Sequence, residues 1–584
     1  MSVFTPDEGS DPTALVELRI LEGPNLYFSR AAVKLTLDVA DLTAADEARV
    51  RAVGSALGLR SLRPGPPGTG FRQRALLRLV TQLVRRTAHA AGTTRLGVRT
   101  RLTSDADRLV VVYPWRDRSR ARALGEGVVA VLDGLATPEV AASDVEAAVD
   151  RLVAEAGERV RAVGRGPGPT TLRPRVPVVA VTGTNGKTTT SRMIAHLART
   201  AGHHVGWSNT DGIYVDGVQV EEGDYSGPSG AGLVLAHKAV DFAVTETARG
   251  GILLKGIGVV ANDVSVVTNV SADHLGMQGI GTVDQLAEVK GVVPRITKKT
   301  GWAVLNADDP RVFAMRLTTK ARPWVFSREP DSPALREVLG AGGRATTVID
   351  GWITVLDAHG TDPLVEVVDV PMTLAGLSRF NVENALAAAS AALAARIDRE
   401  YVVAGLRSFR PDAAHNPGRM NCFSLDDATV VVDLAHNEAG LEAMIEVMRG
   451  LRRPGARLLL GLGAVGDRQD DLLEMLGEIA GRDADVVAIG HKQKYLRGRT
   501  VEEVDALLRT GAERVGATDV ASYDTELASL QALVAQAGPG DVVGLMCHAE
   551  RQPVYDWLDS MGATADGPDD LAAKVRAALD EGEV

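Results

Sequence analysis

The run Gly183-Thr-Asn-Gly-Lys-Thr-Thr limits what this chain can fold into more than any other feature. It follows the apolar stretch VVAVT and precedes TSRMIAHLART, whose apolar residues recur at helical spacing. A glycine turn between a strand and a helix N-terminus aims backbone N–H groups at one point, where the helix dipole adds positive potential. Phosphate oxygens suit that cradle. Gly183, Thr184, Asn185, Gly186, Lys187, Thr188 and Thr189 are the expected phosphate-binding residues. Lys187 would reach the outer phosphates, and the Thr188 hydroxyl would hold Mg²⁺. Val181 stands where the longer P-loop pattern has glycine, so the loop is a shortened variant. ATP and Mg²⁺ are the expected cofactors.

At 584 residues the chain exceeds one ordinary core. Residues 13 to 46 read as two strands joined by GPNLYFSR. Residues 71 to 92 read as a helix, LVVVYPW as a strand, and 123–136 and 145–163 as amphipathic helices. GRGPGPTTLRPRVP marks a first boundary. From Val178, strands and helices alternate through VVAVTG, VDFAVTET, VSVVTNV and GWAVLNADDP, which predicts a mostly parallel sheet with crossover helices. Residues 323 to 372 suggest a small antiparallel insertion, followed by a helix over 381–396. A second boundary falls near Phe409 to Pro417, and ATVVVDLAH, ARLLLGLG, DVVAIG and DVVGLMC repeat the strand–helix rhythm beyond it. The expected fold class is α/β with three domains. These are a small α+β N-terminal domain (1–165) with a linker (166–177), a P-loop central domain (178–412) and a Rossmann-like C-terminal domain (413–584).

Charge and composition narrow the function. The balance of 64 basic and 75 acidic residues gives −11, which argues against a generic nucleic-acid binder. Cys422 and Cys547 cannot build a disulfide scaffold or a four-thiolate zinc site. The acidic opening MSVFTPDEGSDP lacks a signal-peptide plan, and no run approaches the roughly 18 apolar residues of a membrane span. A cytoplasmic protein with no membrane partner is expected. GLGAVG (461–466) matches G-x-G-x-x-G literally, yet Asp485 opens the next strand instead of ending it, so the run reads as a strand-to-helix turn. MCHAER lacks partner cysteines at metal spacing; His548 and Arg551 there read equally well as loop-end residues or as lining for an amine. Residues 60 to 125 hold fifteen arginines against three acidic residues. They would dock an acidic substrate or, in the competing reading, a nucleic acid or other polyanion on an ATP-driven binding protein.

Mg²⁺ needs hard oxygen ligands, and α/β sheets place ligands at strand C-terminal ends. Glu246 in VTETARGG and Asp273-His274 in TNVSADHLG occupy such positions.

GTNGKTT, TETARGG, NVSADHLG, VLNADDP, FNVENALAA, NPGRMN and VVVDLAHNEAG occur in the order of the Mur ligase family, which this chain resembles. Its resemblance is to the Mur-ligase half of the cyanophycin synthetase family across NTDGIYVDG, GDYSGPSG, ETARGGIL, GDRQDD and LRGR. ELRILEGPN and VKLTLDVADL resemble that family's N-terminal domain. In that family an ATP-grasp domain separates the two parts; here the linker runs straight on, which implies one ligase site in place of two. The resemblance implies a carboxylate–amine ligase that splits ATP to ADP and phosphate through an acyl phosphate. Its partners would be an acidic amino acid or peptide carboxylate and an amine, with no nucleic acid, in a homo-oligomer.

The resemblance also assigns roles. Thr188 and Glu246 would hold a first Mg²⁺ and His274 a second, and Lys290 matches a lysine that many Mur ligases carbamylate. With Lys187, the last three form the catalytic set. Asn306, Asn381 and Asn384 resemble adenine-side positions. Arg419 would meet phosphates, and Asp433 would accept ribose hydroxyls. Thr210, Asp211, Ser226, Arg249, His436, Asn437, Lys494, Arg497 and Arg499 fall on the substrate side. Before LRGR, where the cyanophycin synthetase family carries acids for an arginine substrate, this chain has Lys492 and Lys494. The charge swap predicts an amine with a neutral or anionic side group.

Overall fold

The computed structural model describes residues 14–136, 144–273, 275–466 and 468–580. Their strands fall into three sheets. The first is antiparallel, in the order β1 (Leu15–Leu21), β2 (Ala32–Asp38), β4 (Arg108–Pro114), β3 (Arg99–Leu102). The helices Gly70–Ala90, Arg118–Ala136 and Val145–Ala162 close over one core with it. The end of the expected second strand AAVKLTLDVADL turns instead into the helix Ala40–Ala44. The fully buried Arg72 holds that turn, donating to the carbonyls of Leu42, Thr43, Ala45 and Gly65. This module docks on the next one through Glu22 N–H to Lys255 O at 2.7 Å and Arg101 to Glu288 at 2.9 Å.

The second sheet has eleven strands. Its parallel centre runs β13 (Arg344–Ile349), β12 (Arg322–Phe326), β11 (Thr297–Asn306), β10 (Asn262–Val267), β5 (Val178–Thr182), β9 (Phe242–Glu246), β6 (Val205–Ser208). Antiparallel pairs extend both edges: β14 (Trp352–Asp357) and β15 (Gly360–Glu366) on one side, β7 (Gly212–Val215) and β8 (Val218–Glu222) on the other. Residues 323 to 372 are therefore no separate insertion. Two of their strands are parallel members of the main sheet, and the last two merely finish its edge. Every residue of β5 is buried, as suits a parallel strand covered on both faces. The alanine-rich helix Arg379–Ala394 is buried along most of its length; its small side chains let it pack closely on the sheet and on the helix Lys187–Thr200.

The third sheet is β20 (Ala521–Tyr523), β19 (Val486–Gly490), β18 (Leu458–Leu462), β21 (Val542–Met546), β17 (Ala428–Asp433), β16 (Asn421–Leu425), β22 (Thr564–Ala565). β17 to β20 and β21 are parallel, while β16 and β22 are antiparallel edge strands. GLGAVG lies at the end of β18, before the helix Asp470–Asp483. The C-terminal ends of β5, β9 and β10 face those of β17, β18 and β21 across the molecule, joined there by polar contacts described below.

Candidate active site

The loop after β5 is shaped by two glycines that tolerate no side chain. Gly186, at φ +81°, caps the helix Lys187–Thr200, and a Cβ there would lie 2.3 Å from Asn384 Oδ1. At Gly183 a Cβ would lie 1.9 Å from Thr268 Oγ1. The loop is held from outside by β10: Thr268 Oγ1 donates to Asn185 O at 2.6 Å, and Asn185 N–H donates to Asn269 Oδ1 at 2.9 Å. Lys187 Nζ folds back to Thr184 O at 2.8 Å. Thr184 Oγ1 accepts from Ser271 N–H, and Thr189 Oγ1 accepts from Asn416.

Glu246 ends β9 and is 1% exposed. Its Oε2 accepts from Thr188 Oγ1 at 2.9 Å, which in turn lies 3.1 Å from Thr210 Oγ1. Its Oε1 is buried and has no hydrogen-bond partner among the described residues. Burial pushes the carboxyl above its ordinary value, against the pull of Lys187. A buried carboxylate oxygen with a free lone pair beside a threonine hydroxyl fits a hard cation. No group of three or more His, Cys, Asp and Glu able to hold a metal occurs among the described residues. His274 lies outside the described residues.

Lys290 is buried rather than solvated. Its Nζ donates to Gly183 O at 2.5 Å, so it stands directly behind the phosphate loop. Burial first, then Lys187, bring its amine down to about 7. Arg249 is buried against Met277 O and Gln278. Ser226 bonds Asp224 Oδ1 at 2.6 Å, beside the backbone of Ala248. Asp211 is held by Arg192 at 3.0 Å and by Arg551, from the C-terminal module, at 2.8 Å. Burial alone would raise its carboxyl; the arginines outweigh that and hold it below its ordinary value.

The three asparagines form a wall beside the loop. Asn384 accepts from Thr190 Oγ1 at 3.0 Å and donates to Asn381 Oδ1 at 3.1 Å. Asn306 donates to Thr268 O and to Glu383, whose carboxyl burial raises to about 7.

On the opposite wall, Arg419 is half-buried and its Nε has no partner among the described residues. Asp433, ending β17, accepts from Met420 N–H at 2.8 Å; burial raises it to about 6 against the pull of Arg419. Asn437 exchanges amide contacts with Asn185, 3.1 Å from its Nδ2 to Asn185 Oδ1. Arg468 meets Asp273 at 2.5 Å. Contacts that bridge the two walls include Asn185–Asn437, Asp273–Arg468, Asp211–Arg551 and Thr189–Asn416. An open cleft beside them is lined by Leu275, Met277, Arg468, Gln469, Asp470 and Arg499.

The substrate-side basic loop differs from expectation. Lys492 is no free cation: its Nζ is fully buried and paired with Glu526 at 2.9 Å. Lys494 and Arg497 are exposed, and Arg499 is bound to Asp470 and to the carbonyls of Gly466 and Arg468. The charge-swap argument loses one of its two lysines, because Lys492 adds no net charge. Glu526 and Arg192 escaped the sequence reading: Glu526 opens the helix Glu526–Val534 away from any motif, and Arg192, three residues past the glycine loop, pairs with Asp211, which the helical pattern does not announce. The arginine run over 60–125 is likewise divided. Arg72 is buried structure, and Arg86, Arg101, Arg108, Arg118 and Arg122 pair with carboxylates. Arg74, Arg78 and Arg85 lie on the exposed face of Gly70–Ala90.

Comparisons with known proteins bear on the family and the fold. Residues 181–392 match the model of the Mur ligase middle domain, and 418–548 that of the Mur ligase glutamate ligase domain. The chain is 42% identical to a cyanophycin synthetase of Crocosphaera subtropica over 62% of its own length and 40% of that protein's. It spans about 40% of the length of the cyanophycin synthetases it matches. It is 28% identical to the UDP-N-acetylmuramoyl-L-alanyl-D-glutamate–2,6-diaminopimelate ligase of Geobacillus kaustophilus, over 63% of this chain and 73% of that one. Among solved structures, E. coli FolC in complex with DHPP and ADP superposes with a TM-score of 0.51 at 22% identity, covering 67% of this chain and 90% of that one, a likeness of fold. The two matched domains together span more than half of the chain, and through them it belongs to the Mur ligase family.

Proposed function

We propose that this chain is an ATP- and Mg²⁺-dependent ligase that joins a carboxylate to an amine, with ADP and phosphate as products. The observation that carries the reading is Glu246: a buried carboxylate whose one free oxygen stands beside Thr188, at the foot of a loop built for phosphates. The names of the relatives, a synthetase and a ligase, and the ADP bound in FolC support it.

A carboxylate is a poor electrophile, because oxide is a prohibitive leaving group. Its attack on the γ-phosphate gives an acyl phosphate, and attack by the amine then expels phosphate. Phosphoryl transfer is mostly positioning and charge neutralisation. Lys187 leaves Thr184 O for the outer phosphates, and the loop N–H groups orient them. Thr188 and Glu246 would hold Mg²⁺, which would supply charge neutralisation to the phosphate oxygens. Arg419 meets the phosphates from the opposite wall through its unpartnered Nε. Asp433, as the carboxylate, accepts the ribose hydroxyls, and Asn306, Asn381 and Asn384 face the base. Lys290, with an amine that loses its proton near neutrality, is poised to take up CO₂ as a carbamate, which turns a cation behind the loop into an oxygen ligand. The bridges between the walls would exclude water from the acyl phosphate. The protein works in the cytoplasm in this reading.

Phosphate release tests the proposal: amines are screened against acidic amino acids and short acidic peptides. Release that requires both an amine and a carboxylate supports the ligase. Release that needs neither, or that responds to DNA or RNA alone, sinks it.

A further inference from the structure

The turn Glu22-Gly23-Pro24-Asn25 after β1 takes no part in the site described above, yet it is built for one backbone contact. Asn25 is buried and shapes the turn. Its Nδ2 donates to Gly23 O and Arg30 O, both at 2.9 Å, and its Oδ1 accepts from the N–H groups of Tyr27 and Phe28. The turn meets the central segment 255–260 backbone to backbone: Glu22 N–H donates to Lys255 O and Ile257 N–H to Pro24 O, both at 2.7 Å. The linker joins the same segment. Leu172 N–H donates to Gly258 O and Val260 N–H to Leu172 O, both at 2.9 Å, while Thr171 Oγ1 donates to Glu22 O. Leu26 packs against the core that holds Ile252, Ile257 and Val259.

Only glycine fits where these backbones meet. A Cβ on Gly23 would lie 1.9 Å from Ile257 O, and one on Gly256, at φ +82°, would lie 2.7 Å from Gly23 O. Gly23 is not in the left-handed region, so its missing side chain serves the close approach alone.

The gripped segment leads into the site. The helix Arg249–Leu254 ends at its C-cap Lys255. A helix end leaves carbonyls without a partner inside the helix, and Glu22 N–H supplies one to Lys255 O. At the start of the same helix, Arg249 Nη2 donates to Met277 O at 3.2 Å, and Met277 lines the open cleft. The flank of the segment packs on the turn Ser226–Pro228. A Cβ on Gly258 would lie 2.6 Å from Pro228 O, one on Gly251 would lie 3.1 Å from Gly227 Cα, and Ala248 N–H donates to Ser226 O at 2.8 Å. A second strut reaches the helix Val283–Lys290 and the turn after it, through Arg101 to Glu288 at 2.9 Å and Arg295 Nη1 to Leu26 O at 3.2 Å. The Arg101–Glu288 pair faces solvent and adds little by itself, so the backbone contact carries the docking.

We propose that the N-terminal module braces the substrate side of the central wall: its turn 22–25, acting through segment 255–260, fixes the helix Arg249–Leu254 and, with it, the turns at Met277 and at Ser226–Pro228. The proposal rests on the ligase reading and deepens it, because the carboxylate must reach a γ-phosphate held by this same wall. Gly23 is a positioning residue, acting through Ile257 and Lys255. A module that only rode on the linker would need neither the paired glycines nor the buried Asn25.

Hydrogen exchange of the full chain, read by mass spectrometry, is the first test. Gly23→Ala should speed exchange over 249–258 and 276–280 by about tenfold or more, while the helix Lys187–Thr200 and the third sheet keep their rates. Gly157→Ala is the control: a Cβ there would lie 2.6 Å from Ala90 Cβ, inside the N-terminal module and away from the turn. It should leave both segments slow. Unchanged exchange in Gly23→Ala, or equal acceleration in the two variants, overturns the brace. Should Gly23→Ala fail to fold, Thr171→Val removes only the hydroxyl that holds Glu22 O. It should speed the same two segments about threefold, with Thr171→Ser restoring them, and no change in Thr171→Val overturns the proposal.

Phosphate release is the second test, with L-glutamate and short glutamyl peptides as carboxylates and the common L-amino acids as amines. Gly23→Ala should raise KM for the carboxylate about tenfold and leave KM for ATP within about twofold, since a misplacement of about 1 Å is enough for such a loss. A rise in both KM values alike, or in neither, overturns the proposal. If no pair supports release, the ligase reading fails, while exchange still decides the brace.

Discussion

The two walls of the cleft are built on different plans. The central wall gathers its groups from one contiguous loop, Gly183 to Thr189, plus the ends of β9 and β10. The C-terminal wall gathers Arg419, Asp433, Arg468, Lys492 and His548 from segments spread over more than a hundred residues. The first wall carries the glycine loop and the Glu246 carboxylate; the second carries Arg419, Arg468 and the Asp433 carboxylate. A contiguous loop places its N–H groups through backbone geometry alone. A dispersed wall places its donors only through tertiary pairing, and it therefore depends on buried partners such as Glu526.

Lys187→Ala is expected to have the largest effect. Removing a preorganised cation from the phosphate cradle should cost about 10²–10³-fold or more in kcat. The thermal midpoint should hold, because among the described residues Lys187 bonds only Thr184 O. Near-normal turnover would break the contrast at its first wall.

Lys290→Ala comes next, with a loss of about 100-fold and partial rescue by added acetate or formate, which supply the missing oxygen. The unaltered chain should also gain activity as pH rises through about 7. The Lys290 amine is lowered from its ordinary value, so its neutral, CO₂-reactive form grows above that pH and is lost below it. A pH profile identical in the two proteins removes the carbamate.

Asp211→Asn tests the bridge between the walls. It leaves Arg192 and Arg551 without their shared carboxylate, at a cost on the order of 2–3 kcal/mol. That is below the roughly 3–5 of a fully buried pair because Arg551 reaches water. Denaturant unfolding should show the loss, and kcat/KM should fall about tenfold with the ATP affinity nearly unchanged. Full activity would show that closure does not need this contact.

The smallest effect is expected of Lys494→Glu. Lys494 is exposed, so its charge is screened, and no amine should change in kcat/KM by more than about threefold. A shift of tenfold or more in favour of arginine would restore the charge-swap argument on this one residue.

Much of the central wall was legible in advance. The loop, Glu246 at a strand end and the strand–helix rhythm follow from local pattern, because a parallel strand, its turn and its helix are neighbours in sequence. The reading failed where pattern and topology part. Residues 323 to 372 carry the Val, Thr and turn content of an antiparallel unit. Yet β12 and β13 join the main sheet in parallel, since only tertiary pairing chooses the neighbour of a strand. Lys492 reads as a loop cation because nothing within thirty residues announces Glu526.

The sequence by itself determined that this chain has a glycine-turn loop between a strand and a helix on a parallel sheet, a second run of alternating strands and helices beyond Pro417, and the motif order of the Mur ligases. Those properties are written in residues that are close along the chain, where backbone geometry and periodicity act. Only the tertiary structure decided which charges are spent inside the protein and which face the cleft. Lys492 is cancelled by Glu526, and Asp211 is shared by Arg192 and Arg551. Glu246 Oε1 and Arg419 Nε are left over among the described residues. Desolvation and pairing depend on distances through space, and residues far apart in sequence set them.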